Sequence, residues 1–384
     1  MSFFDEISKI DLDKFTVIVD SRTDRDVERA LSKSGRLDVM DFAALISENA
    51  RHHYLQEMAQ MSVQLTRRRF GRTVSMYLPL YLTNLCSNRC RYCGFSSANK
   101  FRRTVLTLDE IKEECEAINA LGYENILLVS GENERRAGMD YFRQVLPIVK
   151  EHAAYLQMEV QPLGTEDYAE LKTLGLDAVS VYQETYHPAC YKENHLAGRK
   201  MDMRWRMETP DRLGQAGIDK IGIGALLGLY DWKVDLCAVA LHVLYMREHY
   251  WKSRISVSFP RLRPAAGAFE PQFPVSDAKL VQLICAWRIF DHELDLTIST
   301  REGAAFRDKI IPLGITAVSA GSSTEPGGYA HKGQNLEQWA VNDDRSVEEV
   351  VAALKRNHLE AVFHDASTSY FKVPDIKMQG HAAL

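Results

Sequence analysis

Three cysteines, Cys86, Cys90 and Cys93, lie within eight residues of the chain at the spacing C-x3-C-x2-C. They follow an apolar run, Val74 to Leu85, that predicts a β-strand. Three thiolates from one short loop suit an iron–sulfur cluster, whose irons are held by cysteine sulfur. A 4Fe-4S cluster has four irons, so three cysteines leave one iron free to bind a small molecule. The spacing therefore predicts chemistry as well as electron storage.

Two other interpretations of the three cysteines are open. A structural zinc site normally has four ligands and paired C-x2-C units. A set of unrelated buried thiols is possible because free cysteine packs as a small hydrophobe. Three of the seven cysteines fall in this one loop, which favours the cluster over both. The remaining cysteines are isolated: Cys115, Cys190, Cys237 and Cys285.

The elements that position the cysteines alternate between strand and helix from residue 74 onward. The predicted strands are Val74–Leu82, Ile126–Val129, Leu156–Gln161, Ala178–Tyr182, Ile221–Leu227, Ile255–Phe259, Leu294–Ser299 and Thr316–Ala320. The predicted helices are Leu108–Leu121, Asp140–His152, Glu166–Leu174, Thr209–Ala216, Asp235–Tyr250, Ser276–Phe290 and Ala304–Ile311. Alternation of this kind implies parallel strands with right-handed crossovers, and eight such units have the size of an α/β fold of the (β/α)8 TIM-like barrel type. An open doubly wound sheet is the alternative, although no G-x-G-x-x-G joins a strand to a helix.

The rest of the chain divides around this barrel. We predict an N-terminal helical extension at 1–72, the barrel at 73–330, and a C-terminal helical and irregular extension at 331–384. Within the last part, Val347–Arg356 is predicted to be a helix, and we expect this extension to cover the bottom or side of the barrel.

Composition excludes several classes of function. The formal net charge is −5, which gives no reason to expect nucleic acid or an anionic membrane. No apolar stretch has the ~18–20 residues that a membrane-spanning helix needs. An odd number of cysteines, with three of them in one loop, is typical of a reducing compartment, so we expect the protein to be cytoplasmic.

In a barrel, functional residues collect where the strands end at their carboxyl termini. The second strand ends at Ser130-Gly131-Glu132, the third carries Glu159, and the fourth is followed by Glu184. Glycine permits close backbone approach to a ligand, and a carboxylate accepts hydrogen bonds from an ammonium group. Arg204 and Arg206 lie further along, and arginine binds a carboxylate in a two-pronged contact.

The last three strands end in cations and hydroxyls. Arg261 and Arg263 follow the sixth strand, Arg301 the seventh, and Ser319 and Ser322 belong to the eighth. This combination predicts a site for a small zwitterion, with arginine at its carboxylate and serine at its ammonium group. The glycines at 321, 327 and 328 allow an alternative, a phosphate cradle of the kind that barrels place after strands seven and eight.

The cysteine loop, C-x3-C-x-aromatic-C after a first strand, resembles the radical S-adenosylmethionine (SAM) superfamily. The resemblance implies that the amino and carboxylate groups of SAM chelate the open iron and that Tyr92 lies against the adenine. It implies further that Ser130, Gly131 and Glu132 bind the SAM amino group, in place of the superfamily's Gly-Gly-Glu. Glu184 would hold the ribose and Arg206 the SAM carboxylate, while Glu159 either lines the site or pairs structurally.

Longer stretches are similar to one branch of that superfamily, the tyrosine lyases of thiamine biosynthesis (2-iminoacetate synthases). They include Leu80–Cys86, Met158–Leu163, Val181–Tyr186, Phe259–Pro264 and Glu325–Tyr329. The resemblance implies cleavage of the Cα–Cβ bond of L-tyrosine to 2-iminoacetate and p-cresol, while SAM becomes 5′-deoxyadenosine and methionine. It implies Arg301 at the substrate carboxylate and Ser319 or Ser322 at its amine.

The same resemblance implies two protein partners, thiazole synthase and an electron donor such as flavodoxin or ferredoxin. Other radical SAM activities remain open, including a tryptophan lyase, a methylornithine-type mutase and a hydrogenase-maturation lyase. No cysteine follows Cys285, so the second cluster of the hydrogenase-maturation branch is not expected. A non-catalytic metal-binding scaffold is the alternative from a different class.

Overall fold

The apolar run before the cysteines forms the longest strand, β1 (Thr73–Thr83), in this computed structural model, which describes residues 2–33, 36–267 and 269–364. Nearly all of its side chains are buried, because a strand in a parallel sheet is covered on both faces. β1 pairs in parallel with a strand on each side, which closes the sheet into a barrel. The predicted barrel is confirmed, and the open-sheet alternative is wrong.

Seven more parallel strands complete the barrel in sequence order. They are β2 (Asn125–Ser130), β3 (Tyr155–Glu159), β4 (Ala178–Ser180), β5 (Lys220–Gly224), β6 (Arg254–Ser258), β7 (Asp295–Ile298) and β8 (Ala317–Ser319). The helices that follow strands within the barrel are α6 (Leu108–Ala120), α7 (Met139–His152), α8 (Thr165–Thr173), α9 (Pro188–Asn194), α10 (Met203–Met207), α11 (Thr209–Gln215), α12 (Trp232–His249), α13 (Asp277–Phe290) and α14 (Ala304–Gly314). A short 3₁₀ turn, Arg199–Met201, precedes α10.

The helix starts follow from local capping. Thr107 accepts a hydrogen bond from the backbone of Glu110, whose carboxylate bonds back to Thr107, so α6 begins in a capping box as its sequence predicts. The Ser276 side chain caps α13 by accepting a hydrogen bond from the Lys279 amide.

β4 is shorter than predicted, and the reason bears on the site. Beyond Ser180 the chain leaves the ladder with β3 and keeps only single bonds to β5, from Val181 N to Gly222 O and from Gln183 N to Gly224 O. The segment that follows turns its side chains toward the carboxyl end of the barrel, where Glu184 bridges to Ala225.

Helices before β1 wrap the outside of the barrel. They are α1 (Phe3–Ile7), α2 (Lys14–Asp20), α3 (Asp24–Ser32), α4 (Val39–Leu45) and α5 (Leu55–Phe70), with a π-helical turn at Ala50–Tyr54. The side chain of Phe42 packs against Trp287 of α13, with ring centroids 4.4 Å apart. Phe3 stacks on His242 of α12 at 3.9 Å. These contacts attach the extension to the barrel by buried aromatic surface.

The C-terminal part reaches both ends of the barrel. α15 (Val347–Arg356) matches its prediction, and β9 (Glu360–Val362) pairs in parallel with the beginning of β1, at the amino-terminal end of the barrel. Residues 335–340, here called the roof segment, instead lie over the opposite end. The expectation that the whole extension covers the bottom or side is therefore wrong for the roof segment, and its part from 365 to 384 lies outside the described residues.

Among the described residues, none of the helices combines the length and the apolar character needed to cross a membrane.

Candidate active site

The three cysteines lie on the loop after β1, and all three thiols line one cavity at the carboxyl end of the barrel. The loop is held from within by Asn88, whose Nδ2 donates to Glu132 Oε2 at 2.7 Å and whose Oδ1 accepts from the Lys200 amide at 3.0 Å. Its outer edge pairs with the chain near Leu196, where Leu196 N donates to Arg89 O at 2.9 Å. These contacts hold the loop at the carboxyl end of the barrel.

The donor set fits a multinuclear cluster better than a single ion. Burial raises the pKa of Cys86 to about 11 and also raises the pKa values of Cys90 and Cys93, so a metal must displace protons to bind. In residues 2–33, 36–267 and 269–364, no three His, Cys, Asp or Glu side chains converge as ligands of one ion. Zinc needs such convergence at ~2.0–2.3 Å, whereas the cysteines of a cluster bind different irons. No other His or Cys from the described part lines this cavity.

The Ser130-Gly131-Glu132 turn packs directly on the cysteine loop. A Cβ at Gly131 would come within 2.5 Å of the Leu85 carbonyl oxygen, so only glycine permits this approach. Ser130 Oγ is buried and has no hydrogen-bond partner among the described residues. A buried hydroxyl without a partner is costly, which indicates that a ligand completes it.

Four charged side chains form a buried network beside the thiols. Arg206 Nη1 lies 3.0 Å from Glu132 Oε1, and its Nη2 lies 3.6 Å from Glu184 Oε1. Lys200 Nζ donates to Glu184 Oε1 at 2.7 Å. Arg206 is only 7% exposed and Lys200 only 11%, so these contacts are shielded from solvent.

The network sets the charge of Glu184. Burial alone would raise the pKa of this carboxyl, but Lys200 and Arg206 outweigh burial and hold the pKa below its ordinary value. Glu184, Cys90 and Glu132 raise the pKa of Lys200 against the opposing effects of burial and Arg206. Glu184 is therefore an anion with acceptor capacity left for a ligand. Arg204, the other arginine considered from sequence, is half-exposed and pairs with Asp5 and Glu208 instead.

The backbone at Glu184 is in the left-handed region, with φ of 71°. Non-glycine residues rarely adopt this conformation, and it persists where the surroundings over-determine it. The following residues supply that constraint: Asp235 accepts from Thr185 Oγ1 at 2.9 Å and from Tyr186 N at 2.7 Å. On the other side, Leu226 N donates to Glu184 O at 2.8 Å.

Glu159 stands at the boundary between two cavities. It ends β3, lines both the cavity of the thiols and a second one within the barrel, and makes no side-chain hydrogen bond or ion pair in the described part of the chain. Burial raises its pKa to about 7, helped by Glu184 and opposed by Arg301.

The second cavity, about 160 Å³, contains the residues predicted to bind a zwitterion. Arg301, Ser319 and Ser322 line it, together with Tyr77, Tyr81 and Tyr182. Burial raises the pKa of Tyr77 to about 12 and those of Tyr81 and Tyr182 further, so all three phenols are neutral. Tyr92 borders the same cavity, and the two cavities share Cys93, Val129, Glu159, Glu184, Lys200 and Gln338.

The three arginines near this cavity differ in their partners. Arg261 pairs with Asp277 and Glu302, and Arg263 pairs with Glu302 at 2.8 Å, so each of these two arginines has a carboxylate partner. Arg301 has no carboxylate partner among the described residues, and its guanidinium lies 4.1 Å from the centroid of the Trp339 ring. Arg301 thus presents an unpaired cation to the cavity.

The two serines also differ. Ser319 lies close enough to the Tyr77 phenol to lower its pKa against burial, whereas Ser322 Oγ is buried without a partner in the part of the chain that the structure describes. Ser322 therefore has the free hydroxyl.

Tyr92 is fixed by His195. His195 Nδ1 lies 2.7 Å from the Tyr191 carbonyl oxygen and must donate to it, which leaves Nε2 to accept from Tyr92 OH at 2.8 Å. Burial lowers the pKa of His195 to about 3, so the ring is neutral. The Tyr92 ring is thereby oriented beside the cysteine loop.

The roof segment closes the mouth of the second cavity. Gln338 N donates to Thr324 O and Ala340 N donates to Pro264 O, both at 3.0 Å. Tyr81 OH donates to Gln338 Oε1 at 2.9 Å, and Trp339 lines the cavity. The sequence analysis did not single out Gln338, Trp339 or Lys200, because nothing in their local pattern distinguishes them from surface residues.

Four amides just beyond the glycine-rich loop after β8 are bonded to carboxylates. The amides of Tyr329 and Ala330 donate to Glu114, at 3.1 and 2.5 Å. The amides of Gly333 and Asn335 donate to Glu325, at 2.6 and 2.7 Å. Carboxylates of the protein itself thus occupy these four amides, while the phosphate cradle at Gly321, Gly327 and Gly328 stays a prediction.

Comparison with known protein families finds matches in both halves of the barrel. Residues 80–238 match the model of the radical SAM superfamily, and residues 258–360 match the biotin and thiamin synthesis associated domain. The chain is 52% identical over 365 residues to the 2-iminoacetate synthases of Salmonella typhimurium and of Escherichia coli, covering 95% of this chain and 96% of each relative. The FeFe-hydrogenase maturase HydG from Carboxydothermus hydrogenoformans has a similar structure, with a TM-score of 0.82 and 29% identity over 95% of this chain and 83% of that one.

Proposed function

As a member of the radical SAM superfamily and, within it, of the 2-iminoacetate synthases, the chain is a carbon–carbon lyase, and we propose how its residues perform that reaction. It cleaves the Cα–Cβ bond of L-tyrosine to 2-iminoacetate and p-cresol, and SAM is converted to 5′-deoxyadenosine and methionine. The product 2-iminoacetate supplies thiazole formation in thiamine biosynthesis. The observation that carries the residue assignment is that the three thiols and an unpaired guanidinium line two cavities that share six residues.

Cys86, Cys90 and Cys93 would hold a 4Fe-4S cluster, and SAM would occupy the fourth iron. When bound, the two together supply a carbon-centred radical that takes a hydrogen atom from the substrate. The chain provides binding, orientation and exclusion of water.

The charged network fits the functional groups of SAM. Glu132 and the unpartnered Ser130 hydroxyl would accept from the SAM ammonium group, beside the close backbone approach at Gly131. Arg206 would hold the SAM carboxylate, and the Glu184 anion would accept from ribose hydroxyls. Tyr92, oriented by its bond to His195, would lie against the adenine. Lys200 acts through Glu184 and is a positioning residue.

The second cavity fits the amino acid. Arg301 would bind the substrate carboxylate because it is the cation there without a carboxylate partner among the described residues. Ser322 is the better candidate for the ammonium group, since its buried hydroxyl has no partner among the described residues. Glu159, between the two cavities, would face both ligands. The neutral tyrosines and the roof segment would keep water away from the reacting atoms.

Partners are proposed from family membership. The imine product would pass to thiazole synthase in a protein complex, and a flavodoxin or ferredoxin would supply electrons to the cluster. We expect the reaction to take place in the cytoplasm, because a reducing compartment keeps the cluster thiols available.

The test is anaerobic reconstitution with iron and sulfide, followed by incubation with SAM, dithionite and tyrosine. We expect 5′-deoxyadenosine and p-cresol in the wild type and neither product in Cys90→Ala. An Arg301→Gln variant should still give a slow tyrosine-independent release of 5′-deoxyadenosine. Formation of 5′-deoxyadenosine without p-cresol would refute the substrate assignment, and parallel incubation with tryptophan would reveal the alternative lyase.

A further inference from the structure

The surface above the cysteine loop has an unusual charge. We define the cluster face as the exposed residues of 87–102, 133–136 and 192–201. Its exposed carboxylates are Glu134 and Glu193. Its exposed cations are Arg89, Arg91, Lys100, Arg102, Arg135, Arg136, Lys192 and Arg199. The chain as a whole has a formal net charge of −5, so this basic face stands out against an acidic protein.

Contacts join the three segments into one surface. Arg91 of the cysteine loop pairs with Glu193 of α9 at 2.5 Å, and Arg199 pairs with Glu134. Both carboxylates of the cluster face are therefore already neutralised by its own arginines. The other six cations have no ion-pair partner within residues 2–33, 36–267 and 269–364. An excess of unpaired positive charge attracts an acidic partner and accelerates its association.

The cluster face lies one layer of chain above the thiols. Ser87 and Arg89 are exposed, whereas the alternate residues Asn88 and Cys90 are buried. Two apolar side chains interrupt the charge, Leu196 at 46% and Met201 at 52% exposure. Apolar contact area within a ring of charge is typical of a protein interface.

We propose that the cluster face is the docking surface for an acidic one-electron carrier protein, which reduces the cluster through the cysteine loop. The inference rests on the proposed function, since it requires a cluster at the three thiols. One electron passes from the reduced carrier to the oxidised cluster, and no atoms are transferred.

The test compares a protein donor with a small one. Reduced acidic flavodoxin and dithionite are each mixed anaerobically with the reconstituted protein, and the loss of cluster absorbance is followed in stopped flow. The variant is Arg136→Glu/Lys192→Glu. Both residues are exposed cations of the cluster face, and neither contacts the three thiols or the buried charged network. The matched control, Arg67→Glu/Arg68→Glu, makes the same change in net charge at the end of α5, below the opposite end of the barrel.

At low ionic strength, the reduction rate by flavodoxin should fall about tenfold in the cluster-face variant and stay at the wild-type value in the control. The difference should shrink at ~1 M salt, where the Debye length is about 3 Å. Dithionite should reduce all three proteins alike. An unchanged flavodoxin rate, an equal loss in the control, or an equal loss with dithionite would each overturn the proposal.

This readout needs no tyrosine. A failure of the substrate assignment would leave the reduction rates as stated, and a protein that forms no cluster would give no absorbance to follow. If the variant instead keeps its reduction rate but loses binding to thiazole synthase, the cluster face serves that partner and the carrier docks elsewhere.

Discussion

Replacing Glu184 separates two effects that meet at one residue, backbone strain and ligand binding. Its φ of 71° is held by contacts of the neighbouring residues, and its carboxylate contacts Lys200 and Arg206. Glu184→Gly and Glu184→Ala remove the same carboxylate and the same ion pairs. They differ only in a Cβ at a left-handed position.

The two variants therefore isolate the strain. An L-residue in the left-handed region costs about 1–2 kcal/mol relative to glycine. Glycine loses about 0.4–1 kcal/mol of that advantage through the greater freedom of the unfolded chain. Glu184→Gly should be more stable than Glu184→Ala by about 0.5–1 kcal/mol, which for a chain of this size is a difference of about 1 °C in Tm.

Ligand binding should respond to the charge instead. A hydrogen bond to a charged group contributes about 1.5–3 kcal/mol, so loss of the carboxylate should weaken SAM binding by roughly 10- to 150-fold in both variants. Glu184→Gln keeps the shape and the strained backbone but loses the charge, and it should weaken SAM binding by a similar factor.

Both quantities are measurable on the same preparations. Thermal unfolding of the metal-free variants gives the stability difference, and anaerobic calorimetry of the reconstituted proteins gives the affinity for SAM. Equal Tm values for the glycine and alanine variants would refute the strain argument. Wild-type affinity in Glu184→Gln would refute the contact with SAM.

Further predictions concern other parts of the site. Arg301→Lys should raise KM for tyrosine at least tenfold and leave SAM affinity unchanged, because a single ammonium group cannot replace the two-pronged contact; unchanged steady-state KM would remove Arg301 from the substrate site. Burial raises the pKa of the Glu159 carboxyl to about 7. The contribution of this carboxyl to stability is therefore present below its unfolded pKa and is lost as pH rises through 7. Metal-free Glu159→Gln should therefore gain Tm relative to wild type between pH 5 and pH 8, and a constant difference across that range would contradict the burial of an unpaired carboxyl. Arg307→Met removes the fully buried partner of Asp343, whose carboxylate keeps its ion pair with Arg345 at 2.8 Å, and should cost about 1.5–3 kcal/mol, measurable as lower Tm; a loss under ~1 kcal/mol would contradict the burial of this pair.

The sequence predicts the barrel well because its signals are local. Capping at Thr107, the apolar run of β1 and the C-x3-C-x2-C spacing all lie within a few residues of what they specify. The predicted site residues also meet around two adjacent cavities, because parallel strands present their carboxyl ends together. Polar residues at strand ends are therefore recognisable from the order of residues alone.

What the sequence does not reveal depends on distant pairs. Arg261, Arg263 and Arg301 look alike in sequence, and only the position of Glu302 distinguishes the neutralised arginines from the free one. Lys200 has no local mark, because its role follows from its contact with Glu184.

The roof segment also determines the order in which the site is assembled during synthesis. Gln338 Nε2 lies 3.9 Å from Cys93 Sγ, although 245 residues separate the two. At translation rates of about 5–20 residues per second, the cysteines leave the ribosome roughly 10–50 seconds before the residue that covers them. During that interval the thiols lack the cover of the roof segment, so oxidative damage to a nascent chain and delivery of a preformed cluster both have freer access than in the finished barrel, where Cys86 and Cys93 are partly buried.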